Sequence, residues 1–189
     1  MVQARTSPQT LTDWVVLGLV IEEPRHGFSA ARELKADEPL GKVWTVHRPL
    51  VYRSFEHLHA AGLIEPTRVE PGDQGPQRTV FGATRTGREQ FARWLDEVVE
   101  HPRDARAELL AKFVFLARRD EPLAPLARRQ LAQFAPVIAG LERAVDDAVG
   151  TDRLIALWRL ETVRTINSTL DALASEEIVV AAKPLTTNA

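Results

Sequence analysis

The spacing of apolar residues along the first part of the chain predicts a series of short helices. The first predicted helix covers residues 11–22 and is apolar on nearly every face, which indicates that it is mostly buried. Thr10, or the Thr12–Asp13 pair, supplies a polar N-cap, and Pro24 follows the end of the helix. The chain therefore starts its first domain with a core helix, after a polar lead-in over residues 1–10.

A second short helix is predicted over residues 26–37, because apolar residues recur there at three-residue spacing. Pro39 and Gly41 are expected to break it. Residues 42–46 are then predicted to form an extended linker to the next helix.

The third predicted helix covers residues 49–61, with a proline in its first turn, where proline is tolerated. Val51, Phe55 and Leu58 fall at i, i+4 and i+7 and predict a buried face. The remaining positions are mostly polar, basic or aromatic. Gly62 is expected to end the helix.

The hydrophobic period then changes from that of a helix to that of a strand. Residues 63–70 and 78–84 predict two short strands, and the segment 71–77 between them is rich in proline, glycine and polar residues. The pattern predicts a hairpin with a long tip, in which Gly72, Gln74 and Gly75 lie.

The rest of the chain has the period of longer helices. They are predicted over residues 86–101, 105–119, 126–149 and 152–174, with Pro136 inside the third of them. Trp158 lies on the last helix and is interpreted as part of a dimer core. Residues 181–189 are expected to form a loosely held tail.

Three short helices followed by a hairpin are typical of a winged helix, a variant of the helix-turn-helix. We therefore expect a mainly α fold with a small β-hairpin, in which residues 11–100 form a winged helix-turn-helix domain. Residues 101–180 are expected to form a helical dimerisation domain, because their apolar stripes are longer than one small domain needs.

Composition excludes several classes of protein. The chain has 189 residues and no cysteine, so disulfides, thiolate nucleophiles and cysteine-ligated metals are excluded. No apolar run approaches the roughly 20 residues of a membrane helix, and no secretory signal is recognisable. These features predict a soluble, cytoplasmic protein without a membrane partner.

Charge alone is ambiguous about nucleic acid. The chain has a formal net charge of −2, with 24 Lys and Arg against 26 Asp and Glu. Residues 42–93, however, contain eight Lys and Arg and five acidic residues, a local net charge of +3. Because local charge sets the electrostatic footprint, the helix–hairpin segment is the candidate DNA surface. The candidate DNA-binding residues are Lys42, His47, Arg48, Tyr52, Arg53, Gln77, Arg78 and Arg88.

Several motifs in fixed order resemble the PadR-type transcriptional regulators. They are His26–Phe28 at the second helix, Trp44–Arg53 leading into the third, Leu58–Ile64 at its end, and Phe81–Arg88 across the second strand and the next helix. The similarity covers about residues 11–100, and the long helical remainder resembles the larger subfamily. The resemblance implies a homodimeric repressor that binds a pseudo-palindromic operator and responds to a small-molecule effector.

This chain departs from the family pattern at several positions. Phe28 and Phe81 stand where tyrosine is usual, and Val51 and Ala83 where leucine is usual. His47–Pro49 replaces a Ser-Pro-Gly start, and histidine is a poorer N-cap than serine. These departures affect the start of the third helix and the operator sequence that it reads.

The sequence also contains candidate residues for a ligand site and for a metal site. Trp94 and Phe91 could stack on a flat aromatic ligand, as in some family members, or could be core residues. His57 and His59 are two residues apart and diverge by about 160° on a helix, so they do not chelate a metal together. No metal and no cofactor is expected.

No catalytic motif is recognisable: there is no Gly-x-Ser-x-Gly, no Walker loop and no Gly-x-Gly-x-x-Gly. The chain is therefore not expected to be an enzyme. The alternative to a DNA-binding regulator is a winged-helix module that binds a protein or a ligand and not DNA.

Overall fold

The computed structural model describes residues 9–71 and 77–176, and it divides into two compact units, Met1–Leu95 and Asp96–Ala189. This division lies earlier than the predicted boundary after residue 100. Most of the predicted lead-in, the hairpin tip with Gly72, Gln74 and Gly75, and the predicted tail 181–189 fall outside the described residues.

The N-terminal unit carries the helices and the hairpin that the sequence predicts, in the same order. Its elements are α1 (Leu11–Glu22), α2 (Gly27–Glu33), α3 (Pro39–Val43), α4 (Arg48–Ala60), β1 (Ile64–Glu70), β2 (Arg78–Ala83) and α5 (Arg85–Asp96). With its two-stranded hairpin after the helices, this unit is a winged helix, and the chain as a whole is mainly helical, as expected.

Helix α1 is the centre of the N-terminal core. Thr10 caps it: the backbone N–H of Asp13 donates to the Thr10 hydroxyl at 3.2 Å, and the Thr10 N–H donates to the Asp13 carboxylate at 2.8 Å. This reciprocal capping box selects Thr10 over the Thr12–Asp13 alternative. Val15, Val16 and Leu17 are fully buried, which explains why α1 is apolar on nearly every face.

The second predicted helix is wrong at its C-terminal end, and the extended linker over residues 42–46 is partly wrong. Helix α2 ends at Glu33, and α3 covers Pro39–Val43. Pro39 lies in the first turn of α3, where the missing N–H costs no helical hydrogen bond. Gly41 acts there by close approach, because a Cβ at this position would lie 1.6 Å from the Lys35 carbonyl oxygen.

The hairpin strands are antiparallel and in the register that pairs Ile64 with Ala83 and Glu70 with Arg78. A bulge interrupts the ladder between Pro66 and Arg68. Arg25, in the turn before α2, adds a bridge to β2 by exchanging two backbone hydrogen bonds of 3.0 Å with Phe81. The base of the wing is therefore attached to the start of α2.

The junction from β2 into α5 is held by Thr84. Its hydroxyl donates to the Gly62 carbonyl at 2.8 Å and accepts the Gly87 N–H at 3.0 Å. Helix α5 ends at Asp96 and not at His101 as predicted. Beyond that end, the backbone N–H and carbonyl of Val99 bind the side-chain amide of Gln130 instead of continuing the helix.

The C-terminal unit has three helices in its described part: α6 (Leu110–Arg118), α7 (Ala124–Asp147) and α8 (Gly150–Ala174), with a 3-10 turn at Pro102–Asp104 and a π-helical turn at Ala105–Leu109 before α6. Helices α7 and α8 are antiparallel, since Arg164 pairs with Glu142 at 2.8 Å and Arg128 donates to the Ala174 carbonyl at 3.0 Å. Helix α7 continues through Pro136, and Gly150 begins α8 with a positive φ of 59°.

Two buried polar side chains organise the start of this unit. The amide of Gln130, fully buried, accepts the Val99 N–H at 2.8 Å and donates to the Val99 carbonyl at 2.9 Å. Lys112, also fully buried, donates to the Glu97 carbonyl at 2.8 Å and pairs with Glu108 at 2.9 Å. Each polar group is thus satisfied where water is excluded. None of the described helices is long and apolar enough to span a bilayer.

Candidate nucleic-acid interface

Helix α4 is the third predicted helix and directly precedes the hairpin. Val51, Phe55 and Leu58 are buried as predicted, with exposures of 0, 4 and 0%. The helix begins at Arg48 with His47 as its N-cap, and His47 makes no side-chain capping bond, as expected of a poor cap. Without that bond, the placement of the first turn depends on contacts elsewhere.

One such contact is a buried carboxylate on α1. Asp13 is 2% exposed, and its Oδ2 lies 2.9 Å from Nδ1 of His57 on α4. Burial raises the pKa of the Asp13 carboxyl, but hydrogen bonds from Ser54, the Thr10 backbone, His57 and the Thr10 hydroxyl outweigh it and hold the pKa below its usual value. A charged Asp13 therefore ties α4 to the N-terminus of α1.

A second contact joins α4 to the wing through one aromatic ring. The guanidinium of Arg48, in the first turn of α4, lies over the ring of Phe28 at 5.0 Å from its centroid. The guanidinium of Arg78, in the first position of β2, also lies over this ring at 5.0 Å. Both are within the range of a cation–π interaction.

Tyr52 lies beside this cluster and remains 44% exposed. It packs against the first turn of α2, since a Cβ at Gly27 would lie 2.7 Å from Cε1 of the Tyr52 ring. The absence of a side chain at Gly27 therefore makes room for Tyr52. Tyr52 can pack against α2 and still contact DNA, because part of its side chain remains exposed to solvent.

The remaining candidate residues are at the surface. Lys42, His47, Arg53, Gln77 and Arg88 are all exposed. Arg88, on α5, makes a long hydrogen bond of 3.4 Å to the Ile21 carbonyl. The structure thus brings Arg48 and Arg78 together on one ring and places the others separately on the surface of the same unit.

Ion pairing distinguishes these cations from three other arginines of the unit, although Arg32 and Arg93 also have no ion pair within the described residues. Arg25, Arg68 and Arg85 pair with the glutamates at positions 23, 70 and 89. Among residues 9–71 and 77–176, none of the candidate cations is paired with a carboxylate: Lys42, Arg48, Arg53, Arg78 and Arg88. Their positive charge is consequently available to an anionic partner.

Trp94 and Phe91 belong to the core of the N-terminal unit. They are 3 and 1% exposed. The Trp94 ring stacks on Trp14 with the centroids 5.5 Å apart and the planes 9° from parallel. Of the two roles that the sequence left open for this pair, the packing favours the core.

The histidines on α4 have different partners. His57 contacts Asp13, whereas Nδ1 of His59 lies 3.2 Å from the Ile64 carbonyl oxygen. His26 caps α2 by accepting the Ser29 N–H at 3.1 Å. In the part of the chain that the structure describes, no group of three or more potential ligands is placed to hold a metal ion.

The C-terminal unit presents a second candidate surface on α8. Trp158 is 75% exposed and Ile155 is 51% exposed. They belong to an uncharged face that runs the length of the helix: Thr151, Ile155, Trp158, Thr162, Ile166, Thr169 and Leu173. The last three of these residues also line an apolar groove of about 320 Å³ against α6. We call this surface the α8 face.

Sequence reasoning missed Asp13 and Phe28. Asp13 was visible only as a capping residue, although an acidic residue in a helix that is otherwise buried signals a polar partner inside the core. Phe28 was noted only as a departure from tyrosine. Its contacts with Arg48 and Arg78 depend on how three elements converge, and no spacing in the sequence indicates that.

Comparison with known proteins gives one family. The model of the transcriptional regulator PadR-like family matches residues 16–93. Among solved structures, Bacillus subtilis PadR in complex with operator DNA is 18% identical, with 88% of this chain and 99% of that chain covered and a TM-score of 0.46. A PadR-like transcriptional regulator from Bacillus cereus is 19% identical, with coverages of 92 and 98% and a TM-score of 0.38.

One curated protein has a different activity. The ATP-dependent dethiobiotin synthetase BioD of Gloeothece citriformis is 27% identical over 139 residues, which are 73% of this chain and 61% of the relative. The chain therefore spans about three fifths of the length of this relative. At that identity and coverage the match carries no argument for the relative's activity in this chain.

The family match contains the whole of α4, the hairpin and most of α5, and so covers the elements that carry the unpaired cations. It agrees with the motifs of the sequence and with the order of the elements. Residues 16–93 of this chain are therefore similar to the PadR-like family of transcriptional regulators.

Proposed function

We propose that the N-terminal unit binds double-stranded DNA in a sequence-specific manner. Helix α4 enters the major groove, and the hairpin contacts the flanking backbone, as in other winged helices. Arg48, Tyr52 and Arg53 face the DNA from α4. The other predicted contacts are Lys42, His47, Gln77, Arg78 and Arg88.

The observation that carries this proposal is the group of cations on α4 and at the wing base, Arg48, Arg53 and Arg78, that have no carboxylate partner within residues 9–71 and 77–176. Three other arginines of this unit, at positions 25, 68 and 85, pair with neighbouring glutamates, whereas Arg32 and Arg93 have no ion pair within the described residues. The candidate cations on α4 and at the wing base have no carboxylate partner among the described residues. An unpaired basic surface on a recognition helix is the electrostatic footprint expected for phosphate binding.

The test is fluorescence anisotropy with duplex DNA from the region upstream of the protein's own gene, measured over a range of salt concentrations. Arg53→Ala is expected to weaken binding and to reduce the slope of log K against log salt by about one phosphate contact. Arg85→Ala is the matched control, because Arg85 is equally basic and exposed but pairs with Glu89 at 2.7 Å.

The alternative function, a winged-helix module that binds a protein or a ligand, predicts a different result. In that case the wild type shows no salt-dependent affinity for any native upstream duplex, and Arg53→Ala and Arg85→Ala behave alike. Retained binding to duplex DNA by Arg48→Ala/Arg53→Ala with an unchanged salt slope would also refute the proposed surface.

We further propose that the protein is a homodimer joined through the α8 face. A 25-residue helix is about 37 Å long, and this face carries no charge along that length. An exposed tryptophan in such a stripe is typical of an interface centre. A dimer places two α4 helices on a pseudo-palindrome, with half-sites about one helical turn, some 34 Å, apart.

The resemblance to the family also supports a repressor that a small ligand releases from DNA. Such a ligand acts by binding one conformation of the dimer better than another. Because Trp94 and Phe91 are buried in the core, these rings are poorly placed to receive it. Loss of DNA affinity on addition of flat aromatic compounds, with the DNA-binding unit still folded, tests this part of the proposal.

A further inference from the structure

The Phe28 ring is the place where two arginines from different elements meet. Arg48 belongs to α4 and Arg78 to β2, and each guanidinium carbon lies 5.0 Å from the centre of the ring. The two charges are therefore at most 10 Å apart, which is twice that distance. We call these three residues the Phe28 cluster.

The ring is the partner that fixes both guanidiniums. Within residues 9–71 and 77–176, neither Arg48 nor Arg78 has a hydrogen bond or an ion pair through its guanidinium, and both lie over the same ring. The electron-rich faces of an aromatic ring attract cations, and Phe28 is half-buried on α2. A half-buried ring on a helix is a rigid support for two flexible side chains.

Two positive charges within 10 Å of each other form a locally positive surface that attracts an anion. No carboxylate of the described residues fills that role. Phosphate groups would be bound there, because arginine forks match the oxygens of a phosphate group. The backbone of one DNA strand supplies such groups in a row.

We propose that Phe28 is a positioning residue that holds Arg48 and Arg78 as a paired binding site for phosphates of one DNA strand. The wing base and the first turn of α4 then bind the backbone as one unit. This arrangement also compensates for the uncapped start of α4, since the ring fixes Arg48 where His47 makes no capping bond. The proposal rests on the proposed DNA binding and adds to it a coupling between two elements.

The coupling gives the experiment its design. DNA affinity and its salt slope are measured by anisotropy for the wild type, Phe28→Leu and Phe28→Tyr. The same measurements are made on the double variant Arg48→Gln/Arg78→Gln, with and without Phe28→Leu. Phe28→Leu, which keeps the apolar bulk and removes the ring, is expected to weaken binding about tenfold. Phe28→Tyr, which keeps the ring, is expected to stay within about twofold.

The double arginine variant separates positioning from folding. Added to Arg48→Gln/Arg78→Gln, Phe28→Leu is expected to have no further effect on affinity, because the groups that it positions are gone. Added to Arg85→Gln, which leaves the cluster intact, it is expected to keep its full effect. A merely structural role would lower affinity equally in both backgrounds.

NMR of the free protein provides a readout that needs no DNA. The δ-methylene protons of Arg48 and Arg78 are expected to show upfield ring-current shifts that Phe28→Leu abolishes. Absence of these shifts, or an unchanged affinity of Phe28→Leu when the wild type binds DNA normally, overturns the Phe28 cluster alone. Failure of the wild type to bind any duplex while the shifts are present overturns the proposed function and the phosphate site, and leaves the stacking itself established.

Discussion

Replacement of Asp13 by asparagine tests whether the link between α1 and α4 depends on a charge. Asparagine keeps the shape of the side chain but removes the negative charge that His57, Ser54 and Thr10 stabilise. Because Asp13 is 2% exposed, water does not replace what the substitution removes. We therefore expect a loss of stability from a change of very few atoms.

The size of the effect follows from the hydrogen bonds. The carboxylate accepts the Thr10 N–H at 2.8 Å, the Thr10 hydroxyl at 2.9 Å and contacts His57 at 2.9 Å. A hydrogen bond to a charged group contributes about 1.5–3 kcal/mol, and asparagine keeps part of the set, so the expected loss is about 2–3 kcal/mol. For a unit of 95 residues this lowers the melting temperature by roughly 10–20 °C.

The pH dependence of the effect has a definite sign. The pKa of Asp13 is lower in the folded protein than in the unfolded chain, so the unfolded chain binds more protons around that pH. The stability from the charge is fully present above the unfolded value of about 3.9 and is lost as the pH falls through the folded pKa. The difference between wild type and Asp13→Asn is therefore expected to be constant at neutral pH and to shrink in acid.

Scanning calorimetry at several pH values measures both quantities. Asp37→Asn is the matched control, because Asp37 is an exposed aspartate of the same unit and its replacement makes the same change of charge. Equal melting temperatures for wild type and Asp13→Asn at pH 7, or a gap between them that does not shrink in acid, would refute the reasoning.

Two further substitutions, each with a control, test the packing around Gly87 and the proposed dimer. In chemical denaturation, Gly87→Ala is expected to destabilise the N-terminal unit by about 3 kcal/mol, since a Cβ there would lie 2.1 Å from the Leu63 carbonyl oxygen. The control Gly140→Ala is expected to be neutral or stabilising, because a Cβ at Gly140 meets nothing within 4 Å. Trp158→Glu is expected to weaken self-association about 100-fold in sedimentation equilibrium. Arg153→Glu, which lies outside the α8 face, is expected to leave self-association nearly unchanged. A wild type that is monomeric at high concentration would refute the proposed dimer.

The elements that the sequence predicted well are those with local signals. Helix α1 has its cap at Thr10 and a proline after its end, and α4 has an apolar face at helical spacing. Helix α3 was missed because Pro39 and Gly41 look like breakers. Pro39 does not break the helix because it lies in the first turn. Gly41 is needed because the Lys35 carbonyl lies close to it, and this contact cannot be read from the local sequence.

The candidate site divides in the same way. The basic residues of α4 could be selected from composition and order, because a surface charge needs no partner to be recognised. The pairing of Asp13 with His57 joins residues 44 positions apart, and the Phe28 cluster joins three separate elements. Such contacts arise when the helices pack, and a period in the sequence does not encode them.

The Thr84–Gly87 part of the family motif also has a structural explanation. Thr84 caps the start of α5 and holds the Gly62 carbonyl, and Gly87 allows α5 to approach the chain before β1. In this chain these two residues fix the angle between the wing and α5. Their position in the motif is therefore explained by folding, without any contact with DNA.

The stacked pair of Trp14 and Trp94 gives the molecule an optical signal of its own. Two parallel indoles with centroids 5.5 Å apart couple their excited states, so the folded N-terminal unit should show a paired band in circular dichroism that disappears when α1 and α5 separate. Trp158, 75% exposed on α8, lies in the other unit and is open to collisional quenchers such as iodide. Unfolding of the N-terminal unit and occlusion of the α8 face can thus be followed in one unlabelled sample, by two different optical signals.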